Sequence, residues 1–303
     1  MPSTPTRLRQ IALVATDLEK ATKLLTTIIG TEVIYRDPAV EHWGLKNALL
    51  PIGGDFIEVV SPFKPNTTGS RLLAKRGDGG YMVIMQTVNA NAQRKYLEGN
   101  GLAKVIFMHE TEGSVCVQYH PKGIKGGMIP ELDSHHPYPS NPTPLESPFS
   151  PWHALGPSSN HSIHGKAMMK YSHLHLLSIT CRLAPGVADI AGAARQWEEL
   201  FDVRSAAHEG QLQFTNARLR FLPGKENEKE GLLEVCVGVE GTDQLNDILD
   251  RAEKEGLVKK DGLVDMVGVL WKFVPFVPLD GEVMRHQARL PETNFKNPPN
   301  KPG

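Results

Sequence analysis

One local order recurs four times along this chain, and that repetition limits the possible folds more than any single motif does. Residues 10–15 (QIALVA) read as a buried strand. Leu18, Ala21, Leu24, Leu25 and Ile28 then follow at helical spacing, with Asp17 placed as the N-cap and Gly30 as the stop. Three strand-like runs come next, at 32–36, 46–52 and 56–60, separated by the turn signals Asp37-Pro38 and Gly53-Gly54-Asp55. The order is strand, helix, three strands.

The same order returns with a strand at 81–88, a helix at 91–98 and strands at 104–109, 114–120 and 128–132. A third unit runs from a strand at 174–180 through an amphipathic helix at 187–201 to strands within 211–222. A fourth has a strand at 232–239, a helix at 242–255 and strands within 264–277. Four modules in 303 residues imply two domains of two modules each. The expected division is 1–133, then 171–290, with a flexible tail at 291–303. Between the domains, residues 134–170 are dense in Pro, Ser and His without apolar periodicity, which fits either a linker or a lid folded over a pocket.

Charge and composition exclude several partners. Lys plus Arg is 33 and Asp plus Glu 34, with no long run of either sign, so neither nucleic acid nor an anionic membrane is expected. No apolar stretch reaches the roughly 18 residues of a membrane span. The first five residues, MPSTP, lack a signal-peptide core, and a cytoplasmic protein is expected, as a monomer or homodimer. The three cysteines, Cys116, Cys181 and Cys236, are widely separated and receive no chemistry.

The segments LRQIALVATDLEKA and HWGLKNALLPIGGDFIEVV, with HPKGIKGGMIPEL at 120–132, resemble the glyoxalase/bleomycin-resistance (vicinal oxygen chelate) superfamily. The resemblance covers residues 7–132 well and is mostly architectural over 171–277. It implies an α+β fold in which βαβββ modules pair into two vicinal-oxygen-chelate-type domains, each pair forming a cleft. In that family a divalent metal is held by one residue from each first strand and each last strand. Carried over, those places are Gln10 and Glu58, then Val83 and Glu131, and 48 residues separate each pair. Val83 cannot ligate a metal, so the implied ligands are Gln10, Glu58 and Glu131.

Oxygen donors of this kind suit one divalent ion, Zn, Ni, Mn or Mg, acting as a Lewis acid, with a metal-free cleft as the alternative. Glu58 or Glu131 would serve as the base that moves a proton next to a carbonyl. His42, Trp43 and Asn47 lie just before the strand leading to Glu58, where a ring and an amide can orient a substrate, and His120 opens the closing segment of module two. His135, His136, His161 and His164 are expected in solvent. The implied function is a lyase- or isomerase-type enzyme acting on a carbonyl-containing or enolisable small molecule. A metal-free protein that binds or sequesters a small molecule is the alternative, with a structural protein behind it. An extradiol-type dioxygenase needs two His and one Glu in the second domain. Only His175 (or His173) is placed for that, beside Glu234, with Glu282 a further 48 residues on.

Overall fold

The computed structural model describes residues 5–278. The first module comprises β1 (Arg7–Val14), α1 (Leu18–Ile29), β2 (Leu45–Ile52) and β3 (Asp55–Pro62). Asp17 caps α1 by accepting from Lys20 N at 3.0 Å, and Gly30 ends it at φ 81°, the left-handed conformation that glycine adopts without strain. The strand expected at 32–36 is reduced to a bridge between Tyr35 and Leu49, because Pro38 begins a 3₁₀ turn (Pro38–Trp43) directly after it.

A helix absent from the sequence reading, α2 (Thr68–Arg76), leads into module two. That module contains β4 (Gly79–Gln86), α3 (Ala90–Gly99), β5 (Val105–Glu110), β6 (Ser114–Tyr119) and β7 (Ile129–His135). The seven strands form one mixed sheet in the order β2-β3-β1-β4-β7-β6-β5. β1 runs parallel to β3 and β4 parallel to β7, while β1 and β4 meet antiparallel at the centre, so the two modules are related about that seam.

Residues 161–170 form a further helix, α4 (His161–Lys170). The second domain repeats the plan. β8 (Leu174–Arg182), α5 (Ile190–Phe201), β9 (Arg204–Ser205), β10 (Gln211–Gln213) and β11 (Arg218–Leu222) make module three. β12 (Gly231–Val239), α6 (Thr242–Lys254), β13 (Val264–Met266) and β14 (Val269–Pro275) make module four. Their sheet order is β13-β14-β12-β8-β11-β10-β9. The architecture is α+β, four βαβββ modules in two sheets. The expected boundary at 290, the tail, and Glu282 lie outside the described residues.

The two sheets share a single apolar core. Ile11, Leu13, Val83 and Met85 from the first sheet join Ile179, Val235 and Trp271 from the second, with α1, α5 and α6 contributing their apolar sides. Removing this much apolar surface from water is the main favourable term in folding. Polar contacts set the register between domains. Asn216 accepts from Leu8 N at 3.0 Å and donates to Leu8 O and to Asp55 Oδ2, each at 2.9 Å.

The opposite face of the first sheet is also buried. Residues 136–170 lie across it, and Trp152, Leu155 and Met168 pack with Val14, Leu49, Phe56 and Ile84 into a second apolar cluster. With both faces covered, β1, β3 and β4 read as nearly continuous apolar runs. Polar residues inside such runs stand out, and the buried ones are Arg7, Arg9 and Gln10 in β1 and Asp55, Glu58 and Ser61 in β3.

Candidate functional site

Side chains alternate along a strand, so register decides which residues share the covered face. Gln10 and Ala12 of β1 face the same way as Phe56 and Glu58 of β3, and as Met82 and Ile84 of β4. Ile84 and Gln86 in turn sit beside Glu131 and Asp133 of β7. Cys116 and Gln118 of β6 pair with Asp133 and Glu131. Of these, Gln10, Glu58, Met82, Ile84, Cys116, Gln118 and Glu131 line a cleft of about 1860 Å³, closed in part by Pro151, His153 and Ala154 from the covering segment.

Glu58 is the best-defined group. Its carboxylate accepts from Asn47 Nδ2 at 2.7 Å on Oε1 and from Gln10 Nε2 at 2.9 Å on Oε2. It is only 8 % exposed, and burial pushes its acidity up to about 7. The two amide donors pull the other way, while the nearby Glu131 charge adds to the rise. Tyr81 lines the same cleft, its hydroxyl pushed up to about 12 by burial and then by the charges of Glu58 and Glu131. It therefore stays a proton donor across the physiological range.

Gln10 is fixed at both ends. Trp152 donates its indole N–H to Gln10 Oε1 at 2.7 Å, and because that indole can only donate, the amide orientation is settled. A bulge between Leu8 and Gln10 turns Arg9 onto this face, where its guanidinium lies 5.2 Å from the Trp152 ring and 5.6 Å from Phe56. Arg9 also donates to Ser150 O at 2.6 Å and to Pro148 O at 3.3 Å. Arg7 donates to Ser147 O and Pro148 O, each at 3.1 Å, and pairs with Asp55. The covering segment is thus attached to β1 through three positions of one strand, Arg7, Arg9 and Gln10.

The second half of the cleft holds Glu131, Asp133, Cys116 and His153. Burial raises the carboxyl groups of Glu131 and Asp133 and the Cys116 thiol above their ordinary values. The same burial pushes the His153 imidazole down to about 4 and His135 to about 2, so both rings are neutral near pH 7. Neither Asp133 oxygen has a hydrogen bond of regular geometry, and Asp133 is fully buried.

The metal set implied by the sequence does not fit these residues. The one acceptor oxygen of Gln10 is taken by Trp152, and its nitrogen lies on Glu58. Val83 is not the fourth place either. Glu58 adjoins Ala12 and Glu131 adjoins Ile84, so the module-two counterpart of Gln10 is Met82, while Val83 faces the shared core. The equal 48-residue intervals are thus offset by one residue from the true equivalence, and a one-residue slip in a strand exchanges its faces.

Among the expected substrate residues, Trp43, Asn47 and His120 line the cleft with Gln10, Glu58 and Glu131. His42 does not. It is exposed in the 3₁₀ turn and meets Trp43 edge-on at 6.1 Å. His120 sits at the mouth, its Nδ1 accepting from Lys122 N at 3.0 Å as a turn cap. Trp43 packs edge-on against Phe107 at 5.0 Å and is 42 % exposed. Of the histidines expected in solvent, His136 is exposed, but His164 is buried against Tyr35 at 5.6 Å and His135 stacks near Trp152 at 5.0 Å. In the second domain His175 pairs with Glu240 at 2.6 Å and stacks on Phe276 at 4.0 Å. Sequence reasoning missed Tyr81, Cys116, Asp133, Trp152 and His153.

A family model described as a glyoxalase-like domain matches residues 11–144. This stretch, less than half of the chain, resembles a glyoxalase-like domain. It holds Glu58, Glu131 and Asp133 and stops short of Trp152. Over both sheets the chain shares a fold with a hypothetical protein from Staphylococcus aureus: TM-score 0.56, 11% identity, covering 89% of this chain and 99% of that one. Methylmalonyl-CoA epimerase from Mycobacterium tuberculosis is similar over 45% of this chain and 93% of its own, at 22% identity and TM-score 0.40. The Streptomyces coelicolor methylmalonyl-CoA epimerase in complex with 2-nitronate-propionyl-CoA gives 22% identity, 43% and 94% coverage, and TM-score 0.38. No curated protein matches the chain. Among the described residues, no helix is long and apolar enough to cross a membrane.

Proposed function

We propose that the cleft of the glyoxalase-like domain moves a proton at a carbon next to a carbonyl, the step shared by isomerases and lyases acting on enolisable small molecules. Glu58 carries this reading. A buried carboxyl held near 7 by burial and by Glu131 is balanced between its two forms at neutral pH, the condition under which a general base works best. Gln10 and Asn47 orient the carboxylate from either side, and Trp152 and the strand register keep Gln10 in place. Glu58 takes the proton from carbon, Tyr81 donates a hydrogen bond toward the oxygen on which charge develops, and Glu58, now carrying the proton, returns it to carbon. No step passes through a metal at Gln10, because its donors are otherwise engaged. Trp43, Phe107 and Ile106 at the mouth offer apolar surface for the non-reacting part of the substrate.

The test is proton exchange in deuterated water. A panel of enolisable 2-oxo compounds and acyl thioesters is incubated with the protein, and loss of the α-proton signal is followed by NMR. Catalysed exchange that falls about 10²- to 10⁴-fold in Glu58→Gln supports the reading. Exchange at the original rate in that variant would overturn it.

The cleft volume and its aromatic mouth favour a second reading, a protein that binds or sequesters a hydrophobic small molecule without turnover. That reading gains if a compound raises the melting temperature equally in wild type and Glu58→Gln, while no panel member exchanges its proton.

A further inference from the structure

The group of Cys116, Glu131, Asp133 and His153 carries no proton in the proposed chemistry, and its make-up is unusual for a proton-relay cluster. Antiparallel pairing sets Cys116 of β6 directly opposite Asp133 of β7, and alternation brings Glu131 to the same face. His153 comes from the covering segment. Its backbone N–H donates to His135 Nε2 at 3.1 Å, and its neighbour Trp152 is pinned to Gln10. One sulfur, one nitrogen and two carboxylate oxygens from these four residues all lie within 4.8 Å of one another. A tetrahedral zinc centre with bonds of about 2.0–2.3 Å separates its ligand atoms by roughly 3.3–3.8 Å, so these donors need to close up by about an ångström.

A second, independent observation points to a ligand. Asp133 is 0 % exposed, and both of its oxygens lack a hydrogen bond of regular geometry, as does His153 Nδ1. Buried acceptors are almost always satisfied, and a buried carboxyl whose neighbours are the Glu131 carboxyl, the Cys116 thiol, the Val117 backbone and, at 3.7 Å, His153 Nε2 is a group that a cation would hold better than these contacts do. The mixed sulfur, nitrogen and oxygen donors select a borderline ion such as zinc over magnesium or calcium, which favour oxygen alone.

We propose that Cys116, Glu131, Asp133 and His153 form a closed four-ligand site for a zinc-type divalent cation, which ties the covering segment to β6 and β7 of the first sheet. With all four places supplied by protein, the ion is structural. The site lies off the seam between modules and does not include Gln10 or Glu58. Binding transfers the Cys116 proton to solvent as the thiolate–metal bond forms, with no oxidation and no co-reactant.

The experiment uses the full chain, freed of metal with chelator and then titrated with cobalt and with zinc. Cobalt is expected to bind one per chain and to produce thiolate-to-cobalt charge-transfer absorption, absent in Cys116→Ser. Zinc affinity is expected to fall at least 10-fold in Cys116→Ser and in His153→Gln, consistent with loss of a single ligand, and zinc is expected to protect residues 136–170 from limited proteolysis. Circular dichroism of each variant checks that it folds. Glu58→Gln is expected to keep the metal while losing proton exchange, which separates failure of this site from failure of the proposed reaction. Zinc bound equally by wild type, Cys116→Ser and His153→Gln would be adventitious and would overturn the proposal, as would cobalt spectra without a thiolate band.

Discussion

The two sheets are built to one plan and carry opposite chemistry on their outer faces. On the first, the covering segment seals the face opposite the shared core, and three acids, Glu58, Glu131 and Asp133, are buried there beside Arg9 and Gln10. On the second, register places Arg218 beside Ser178, Arg220 beside Thr180, and Lys272 beside Cys236, with Glu234 opposite Thr180. Arg218, Arg220, Glu234 and Lys272 are only partly buried there. The comparison separates fold from function. Topology fixes where a side chain points, but a cover over the face decides whether a carboxyl is taken out of water and pushed toward neutrality.

The covering segment is the largest lever on that difference. Trp152 is 0 % exposed, holds Gln10, and lies against Arg9. Trp152→Ala is expected to cost about 3–5 kcal/mol in chemical denaturation, the range for removing a large buried aromatic. A loss below about 1 kcal/mol would mean the segment rests on the sheet without being part of its core.

Next in size is a pH effect specific to the covered face. Glu58 titrates near 7 in the folded chain and near 4.5 when unfolded, so between these values the native state holds a proton that the unfolded state has released. Stability is therefore greatest at low pH with respect to this group and declines as pH rises from about 4.5 through about 7, by roughly 3 kcal/mol in total. Glu58→Gln should flatten that slope when wild type and variant are unfolded in urea across the range. The smallest effect belongs to the open face. Glu234→Gln is expected to change stability by no more than about 0.5 kcal/mol and to leave proton exchange untouched. An effect as large as that of the Glu58 substitution would show that the two faces are functionally alike.

Much of this was legible in the amino-acid order. The fourfold repeat located nearly every strand of both sheets, and Asp17 and Gly30 bounded α1 because their capping roles are local. Glu58 was reached through the family resemblance, as the carboxylate of the last strand of module one. The rest depended on long-range contacts. α4 escaped notice because only His164 and Met168 of its ten residues are buried, too thin a stripe to register as periodicity. Cys116 and Asp133 face each other across a strand pair, and His153 reaches them from 20 residues beyond Asp133 in sequence. No spacing rule announces such a set. Val83 was misplaced for a more ordinary reason: matching intervals cannot see a one-residue offset, and in a strand that offset exchanges core for cleft.

The central claim is that the covered cleft holds Glu58 poised between its protonated and ionised forms. Carboxyl-labelled glutamate followed by ¹³C NMR across pH, with Glu58→Gln assigning the resonance, tests it directly. An apparent midpoint near 7 is the expected result. A midpoint near the ordinary glutamate value of about 4.3 would contradict it.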